Sequence, residues 1–138
     1  MARTLEFYFD YGSPYSYLAD TQVEAIAGRA GATLARKPML LGGVFKSTGN
    51  HSPAELPAKS KWSAFDMPMW ARHYGVPFKP NPFFPVNTLA LMRGAAAAQI
   101  DGILSATTRR CTRRCGSMAA ISTTSRKSRR CKGCAPTS

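Results

Sequence analysis

Hydrophobic and polar residues alternate near the start of the chain, and the spacing then becomes helical. Residues 5–9 place leucine and two phenylalanines at every second position, which predicts a β-strand. Gly12 permits a turn, and the apolar residues over residues 15–30 have the spacing of a helix. A second extended segment, residues 32–41, contains Pro38, which restricts it to a sheet edge or a strand end. Strand, helix and strand in this order are typical of the opening of a parallel α/β unit.

The pattern changes after residue 41. Residues 42–60 are rich in glycine, serine and proline, which predicts a loop. Residues 58–74 have helical spacing but contain Pro68. We therefore expect a break at this proline, with Asp66 capping a short second piece of helix.

Large apolar side chains in that predicted helix indicate a place in the core rather than a surface for stacking ligands. They are Trp62, Phe65, Met69 and Trp70. The next segment, residues 76–86, contains too many prolines to be more than a connector. A last helix is predicted from Asn87 or Thr88 through residue 99.

Composition divides the 138 residues into two unlike parts. Every aromatic residue lies between Phe7 and Phe84, whereas all four cysteines lie in residues 100–138. That segment holds 9 of the 19 Lys and Arg residues and one of the 7 acidic ones, so it supplies most of the net charge of +12. Without aromatic side chains to bury, such a tail does not offset the entropy of ordering, and we expect it to be disordered.

No membrane partner is expected from the sequence. The most apolar run, residues 89–98, is short and is interrupted by Arg93. The first ten residues alternate instead of forming the apolar stretch of a secretory leader. Residues 1–99 contain no cysteine, so nothing there indicates an oxidising compartment. These features favour a cytoplasmic location.

The tail by itself suggests a function of another class. Its cysteines have approximately the spacing of a four-thiolate zinc site: Cys111, Cys115, Cys131 and Cys134. Its basic residues would favour nucleic acid. A zinc-binding or nucleic-acid-binding tail protein is therefore an alternative hypothesis, although the spacing only approximates that of a zinc ribbon. The preferred interpretation includes no metal and no specific nucleic-acid partner.

Ser13 and Pro14 stand where the predicted strand turns into the predicted helix. Serine is a good N-cap, and proline suits the first helical position because its missing N–H would have no partner there. A helix N-terminus favours anions and thiolates. A serine at this point cannot form a disulfide, but it can donate a hydrogen bond to the thiolate of a bound molecule. Considered alone, Ser13 is more often simply a cap.

Five segments of sequence, in this order, carry a resemblance to a known family. They are FYFDYGSPYSYLA, LLGGVFKSTGN, PAKSKW, WARHYGVPF and FPVNTLALMRGA. Together they closely resemble 2-hydroxychromene-2-carboxylate isomerases, relatives of the kappa-class glutathione transferases, over residues 4–99. The resemblance implies an α/β, thioredoxin-like fold of the disulfide-oxidoreductase type with a helical insertion. It also implies glutathione as cofactor, a small aromatic carboxylate as substrate, and a homodimer as the usual state of the family.

The resemblance also implies roles for individual residues. Ser13 would hold the glutathione sulfur as the catalytic group, with Pro14 as its partner in the Ser-Pro motif. Asn50 would contact glutathione or the substrate, Lys59 the carboxylates of glutathione, and Lys46 the carboxylate of the substrate. The implied reaction is reversible thiol addition that converts 2-hydroxychromene-2-carboxylate to trans-o-hydroxybenzylidenepyruvate. A kappa-like glutathione transferase is the alternative within the same class.

The resemblance ends near residue 99, which sets the predicted boundaries. Residues 1–41 would be the N-terminal part of a thioredoxin-like domain, residues 42–99 part of the helical insertion, and residues 100–138 the basic tail. The composition of the tail is also typical of out-of-frame translation of a GC-rich gene, so a shifted reading frame is a hypothesis for its origin. With the family's remaining strands absent, we expect this chain to fold poorly and to have low or no activity.

Overall fold

The structure is a computed structural model that describes residues 2–82, 84–106 and 108. Its first three elements are strand β1 (Arg3–Phe9), helix α1 (Pro14–Arg29) and strand β2 (Ala32–Pro38). Three further helices come after them: α2 (Leu41–Thr48), α3 (Pro57–Tyr74) and α4 (Leu89–Ile100). A short 3-10 helix, Pro53–Glu55, precedes α3.

The two strands form a parallel sheet, as the sequence pattern predicts. Their register runs from Arg3 opposite Ala32 to Phe9 opposite Pro38. Pro38 is the last residue of β2, the strand end to which its missing N–H restricts it. Helix α1 connects the strands and packs on both of them. The predicted strand–helix–strand unit is therefore confirmed.

The core lies where α1 and α4 cover the carboxyl end of β1. Phe9 and Tyr17 are fully buried, and the Tyr17 hydroxyl donates to the carbonyl of Pro77. Helix α4 buries one face through Met92, Ala95 and Ala98. The predicted last helix is confirmed, with Thr88 at its N-cap.

The predicted loop over residues 42–60 is wrong in its first part, because α2 occupies Leu41–Thr48. Two glycines inside this short helix disfavour it by about 1 kcal/mol each. Its N-cap residue, Leu40, provides no side-chain acceptor for the first amides. The Asp10 carboxylate, 31 residues earlier, accepts the Leu41 N–H at 2.8 Å instead. Such a distant cap is invisible to local sequence patterns.

The predicted break at Pro68 is also wrong. Helix α3 continues through Pro68 as one element of 18 residues and ends at Gly75, which has φ +64. Asp66 is an interior residue and not a cap, and its Oδ1 accepts from Trp70 Nε1 at 3.1 Å. This side-chain bond spans Pro68, the position at which the helix lacks one backbone donor.

The prediction that the aromatic cluster of α3 lies in the core is wrong. Trp62 and Phe65 are 62% and 61% exposed, and Met69 and Trp70 are also exposed. Helix α3 contributes another face to the core: Met67, Ala71 and Tyr74. Helical spacing showed that α3 has apolar residues, but not which of its faces meets α1.

A buried ion pair joins α1 to β2. The Arg36 Nε donates to Asp20 Oδ1 at 3.0 Å, and both side chains are only 4% exposed. Arg36 Nη2 lies 3.6 Å from the exposed carboxylate of Glu24. The pair joins the middle of α1 to strand β2.

The four cysteines of the alternative zinc hypothesis, and nearly all of the basic tail, lie outside the described residues. That hypothesis and the predicted disorder of the tail stay predictions. Among the helices that the structure does describe, none combines the length and the apolar character needed to cross a bilayer.

Candidate functional site

The turn between β1 and α1 places Ser13 at the N-cap of α1. Its backbone is extended, its side chain is half-buried, and its Oγ accepts from Ser16 N at 3.2 Å. Pro14 occupies the first helical position, as predicted. The first turn of α1 contains no acidic residue, so no side-chain carboxylate there offsets the partial positive charge of the helix end.

The first turn of α1 retains donors for a ligand. The amides of Ser16 and Tyr17 bond to the Oγ and the carbonyl of Ser13, and Pro14 has no N–H. Among the described residues this leaves the Tyr15 N–H without an acceptor. The Ser13 hydroxyl accepts one bond and donates none within the same part of the chain. A hydroxyl carries one donor and two lone pairs, so Ser13 can cap α1 and donate to an anion at the same time.

Asp10 holds this turn in place, and the sequence patterns did not identify it. The residue is 3% exposed, and its Oδ1 accepts from Gly12 N at 2.8 Å. Its Oδ2 accepts from Leu41 N at 2.8 Å and from Thr88 Oγ1 at 3.1 Å, while its carbonyl accepts from Ser13 N at 3.0 Å. The signal that could have found it was its position, because an acidic residue at the carboxyl end of a parallel strand lies where α/β proteins place their ligands.

The glycine of the turn is required by the close approach of α4. A Cβ built on Gly12 would lie 2.6 Å from Thr88 Cγ2, nearer than side chains tolerate. The turn that carries Ser13 is therefore packed directly against the N-cap of α4.

Tyr15 joins the first turn of α1 to α3. Its hydroxyl donates to Asp66 Oδ2 at 3.1 Å and lies 3.2 Å from Ser63 Oγ. Partial burial is the main cause that raises the pKa of Tyr15, and Asp66 raises it further, while the bond with Ser63 opposes both. Asp66 thus receives one bond from Tyr15 and one from Trp70.

Two grooves between α1 and α3 share Tyr15 as a common wall. One, of about 400 Å³, is lined by Tyr15, Pro53, Ala58, Lys59, Trp62 and Ser63. The other, of about 300 Å³, is lined by Tyr15, Leu18, Ala19, Trp70 and Tyr74. Both are open to solvent and mostly apolar.

The structure brings some of the predicted site residues together and leaves others apart. Lys59 lines the larger groove beside Tyr15, and Tyr15 is two residues after Ser13 in the chain. Lys46 lies in the last turn of α2 and Asn50 just beyond its C-cap; both are exposed, and neither lines either groove. Within the described part of the chain, no ion pair involves Lys46 or Lys59. The start of α2, however, is bonded to the same carboxylate as the Ser13 turn.

A parallel β1–α1–β2 unit, with a capped helix N-terminus beside the carboxyl end of β1 and further helices after β2, defines the class of protein. Residues 4–126 match the family model for the DSBA-like thioredoxin domain. The chain belongs to that family. The match extends beyond residue 99, at which the resemblance seen in the sequence ends.

The relatives with curated names are of two kinds, kappa glutathione S-transferases and 2-hydroxychromene-2-carboxylate isomerases. The chain is 38% identical over 81 residues to glutathione S-transferase kappa 1 of Caenorhabditis elegans, covering 58% of this chain and 36% of that protein. It is 35% identical over 79 residues to 2-hydroxychromene-2-carboxylate isomerase of Sphingobium xenophagum, covering 56% of this chain and 40% of that protein. Both groups of relatives are enzymes, as the resemblance predicted.

A solved structure of 2-hydroxychromene-2-carboxylate isomerase has a similar fold. The TM-score is 0.57 at 28% sequence identity, with 77% of this chain and 54% of that chain covered. The predicted α/β, thioredoxin-like fold class with its N-terminal strand–helix–strand is thus confirmed. The chain spans less than half the length of the curated relatives reported above.

Proposed function

We propose that this chain carries the glutathione-binding turn of a cytoplasmic isomerase that acts on 2-hydroxychromene-2-carboxylate in the breakdown of aromatic compounds. The reaction would give trans-o-hydroxybenzylidenepyruvate. The observation that carries the proposal is the Ser13 hydroxyl, which caps α1 and still has its hydrogen available to an anion. The relatives named for this reaction support the choice of substrate.

The turn fits the sulfur of glutathione better than it fits a redox disulfide. A thiolate at the N-terminus of α1 would receive the Ser13 O–H and lie beside the Tyr15 N–H, in the field of the helix end. Hydrogen bonds to a charged acceptor are worth about 1.5–3 kcal/mol, which is enough to favour the ionised form of a thiol by about one to two pKa units. When bound, glutathione would supply the thiolate nucleophile that makes the substrate's double bond rotatable.

The lysines would hold carboxylates. Lys59 lines the groove next to Tyr15, where its ammonium group can hold a carboxylate of glutathione. Lys46 and Asn50 are solvent-exposed on and after α2, and their proposed roles toward the substrate rest on the family resemblance alone. A homodimer is likewise proposed on the resemblance.

The test separates the two uses of the Ser13 hydroxyl. Asp in Ser13→Asp is as good an N-cap as serine, so the helix stays capped while the O–H donor is lost. Ser13→Thr keeps both the cap and the donor, and it serves as the matched control. The measurement is the ¹³C chemical shift of the cysteine β-carbon of isotopically labelled glutathione, titrated against pH with each protein in excess, because the chain's own four cysteines do not contribute to this signal.

With the unmodified chain and with Ser13→Thr, we expect the pKa of the bound thiol to fall below its ordinary range. With Ser13→Asp it should return to that range or rise above it, because the new carboxylate repels the thiolate. The proposal is overturned if the unmodified chain leaves the thiol pKa unchanged, or if Ser13→Asp lowers it as much as Ser13→Thr does.

A kappa-like glutathione transferase is the second candidate, since the relative from Caenorhabditis elegans has that name. The two activities differ in the step after the addition of the thiol. An isomerase releases glutathione unchanged, whereas a transferase releases the conjugate. Assaying 2-hydroxychromene-2-carboxylate against a chlorinated aromatic acceptor, with glutathione consumption as the readout, distinguishes them.

A further inference from the structure

The Asp10 carboxylate connects three segments that are far apart in the sequence. It receives the Gly12 N–H from the turn before α1, the Leu41 N–H from the start of α2, and the hydroxyl of Thr88 from the N-cap of α4. With an exposure of 3%, it is removed from water and depends on these donors.

Helix α2 uses Asp10 in place of a local cap, whereas α4 does not. Leu40, at the N-cap of α2, offers no side-chain acceptor, so Asp10 accepts the first amide of that helix. Thr88 is at the N-cap of α4, but its hydroxyl bonds to Asp10 and does not cap its own helix. The Leu89 N–H is accepted by Asn87 instead.

We infer that Asp10 is a positioning residue of the proposed site. Through one carboxylate it fixes the turn that presents Ser13 against the start of α2, the helix that carries Lys46 and leads to Asn50. This inference rests on the proposed function. Other bonds also join these segments, from Met39 N to the Phe9 carbonyl and from Tyr11 N to Met92 Sδ, but the Asp10 carboxylate is bonded to all three.

The electrostatics of the site also favour this role. A buried carboxylate close to a bound thiolate would disfavour the thiolate by repulsion. The charge of Asp10 is offset because two backbone amides, one of them at the positive end of α2, point directly at it. Asp10 can therefore connect the segments while the N-terminus of α1 still stabilises a bound thiolate.

Leu41→Pro deletes the bond from Leu41 N to the Asp10 carboxylate and replaces the half-buried Leu41 side chain. Leu41 is the first residue of α2, a position that proline tolerates because the first helical N–H has no partner within the helix. The preceding residue, Leu40, already has the extended backbone that a following proline requires. The variant therefore keeps α2 and the charge of Asp10, and removes only the bond between them, together with the Leu41 side chain.

Thr88→Val is the matched control, since it removes a bond to Asp10 but leaves Gly12 and Leu41 bonded to it. We measure the dissociation constant of glutathione by calorimetry for the full chain and both variants. Leu41→Pro should weaken binding about tenfold, the effect of losing one hydrogen bond to a charged group. Thr88→Val should weaken binding less, because the bonds that join the turn and the start of α2 to Asp10 remain. Equal effects of the two variants overturn the inference.

A second measurement does not depend on glutathione. In Asp10→Asn, amide hydrogen exchange in the first turn of α2 should rise at least about tenfold, because the Leu41 amide loses its charged acceptor. In Thr88→Val, exchange in this turn should be unchanged. If Asp10→Asn leaves it unchanged, or if both variants raise it equally, Asp10 does not hold α2. If the unmodified chain fails to bind glutathione, the proposed function fails, and the exchange experiment still decides the role of Asp10.

Discussion

Replacing Arg36 by methionine should loosen α1 and β2 more than any surface substitution. The Arg36 guanidinium donates to Asp20 at 3.0 Å with both side chains 4% exposed, so neither charge has ready access to water. Methionine keeps much of the aliphatic stem of arginine but removes the charge and the donors. Asp20 is then left in the interior without the cation that faces it across the helix–strand boundary.

The magnitude is set by this burial. Removing one partner of a buried ion pair costs up to about 3–5 kcal/mol, because the remaining charge keeps its desolvation penalty. The contact of Arg36 with Glu24 adds little, since that carboxylate is exposed and lies 3.6 Å away. Without Arg36, Asp20 and Glu24 also repel each other one helical turn apart, which costs a further ~0.2–0.5 kcal/mol.

Amide hydrogen exchange followed by mass spectrometry is the assay, because it reports openings of a helix even in a marginally stable chain. A loss of about 3–5 kcal/mol corresponds to exchange that is faster by roughly two to three and a half orders of magnitude, up to the limit set by global unfolding. The increase should appear in α1 and β2. Arg29→Met is the matched control, since Arg29 is an exposed arginine at the end of α1.

The double variant Asp20→Leu with Arg36→Met tests the stated cause. If the loss of the Arg36 cation beside the buried Asp20 carboxylate is responsible, the second substitution should restore much of the protection, because an apolar pair often replaces a buried ion pair without loss. Exchange in Arg36→Met that matches Arg29→Met would refute the reasoning. So would a double variant that exchanges faster than Arg36→Met alone.

Three further predictions concern the surface and the whole chain. Trp70→Phe leaves Trp62 as the sole tryptophan, and its fluorescence should have the long-wavelength emission and strong iodide quenching of an exposed indole; weak quenching would contradict the 62% exposure. Tyr15→Phe should cost less than about 1 kcal/mol of stability, because the bond to Asp66 is near the surface. The folded state raises the pKa of Tyr15 above 10.0. The stability that its protonated hydroxyl contributes is therefore present below pH 10.0 and is lost as the pH rises through the higher, folded-state pKa. In urea unfolding curves, Tyr15→Phe should flatten this loss of stability at alkaline pH. The chain itself, with large apolar side chains exposed along α3, should show a broad thermal transition by circular dichroism, and a sharp cooperative one would contradict the expectation of poor folding.

Local patterns were sufficient for the elements near the candidate site. The alternation of residues 5–9 and the Ser-Pro start of α1 are consequences of backbone geometry and capping, which act within a few residues. The same holds for the end of α3 at Gly75, where a residue with positive φ is needed. The five segments that resemble the isomerases predicted the thioredoxin-like fold class, which the local patterns alone did not.

Predictions failed where the deciding partner was distant in the chain. Helix α2 exists over a stretch with loop-like composition because Asp10 accepts its first amide. Helix α3 continues through Pro68, and Asp66, two residues before that proline, is bonded to Tyr15 of α1. Asp10 and Leu41 are 31 residues apart, and Tyr15 and Asp66 are 51 residues apart, so a pattern of neighbouring residues does not contain these contacts.

Short segments of the chain already encoded the strand–helix–strand unit, the turn that carries Ser13 and the placement of Pro14 at the first helical position, because strand alternation and helix capping are local interactions. The burial of Asp10, the exposure of Trp62 and the position of Lys59 beside Tyr15 depend on how the helices pack. A side chain is buried only where another segment of the chain packs on it. Which of these side chains are buried therefore depends on how α1, α3 and α4 pack around the end of β1.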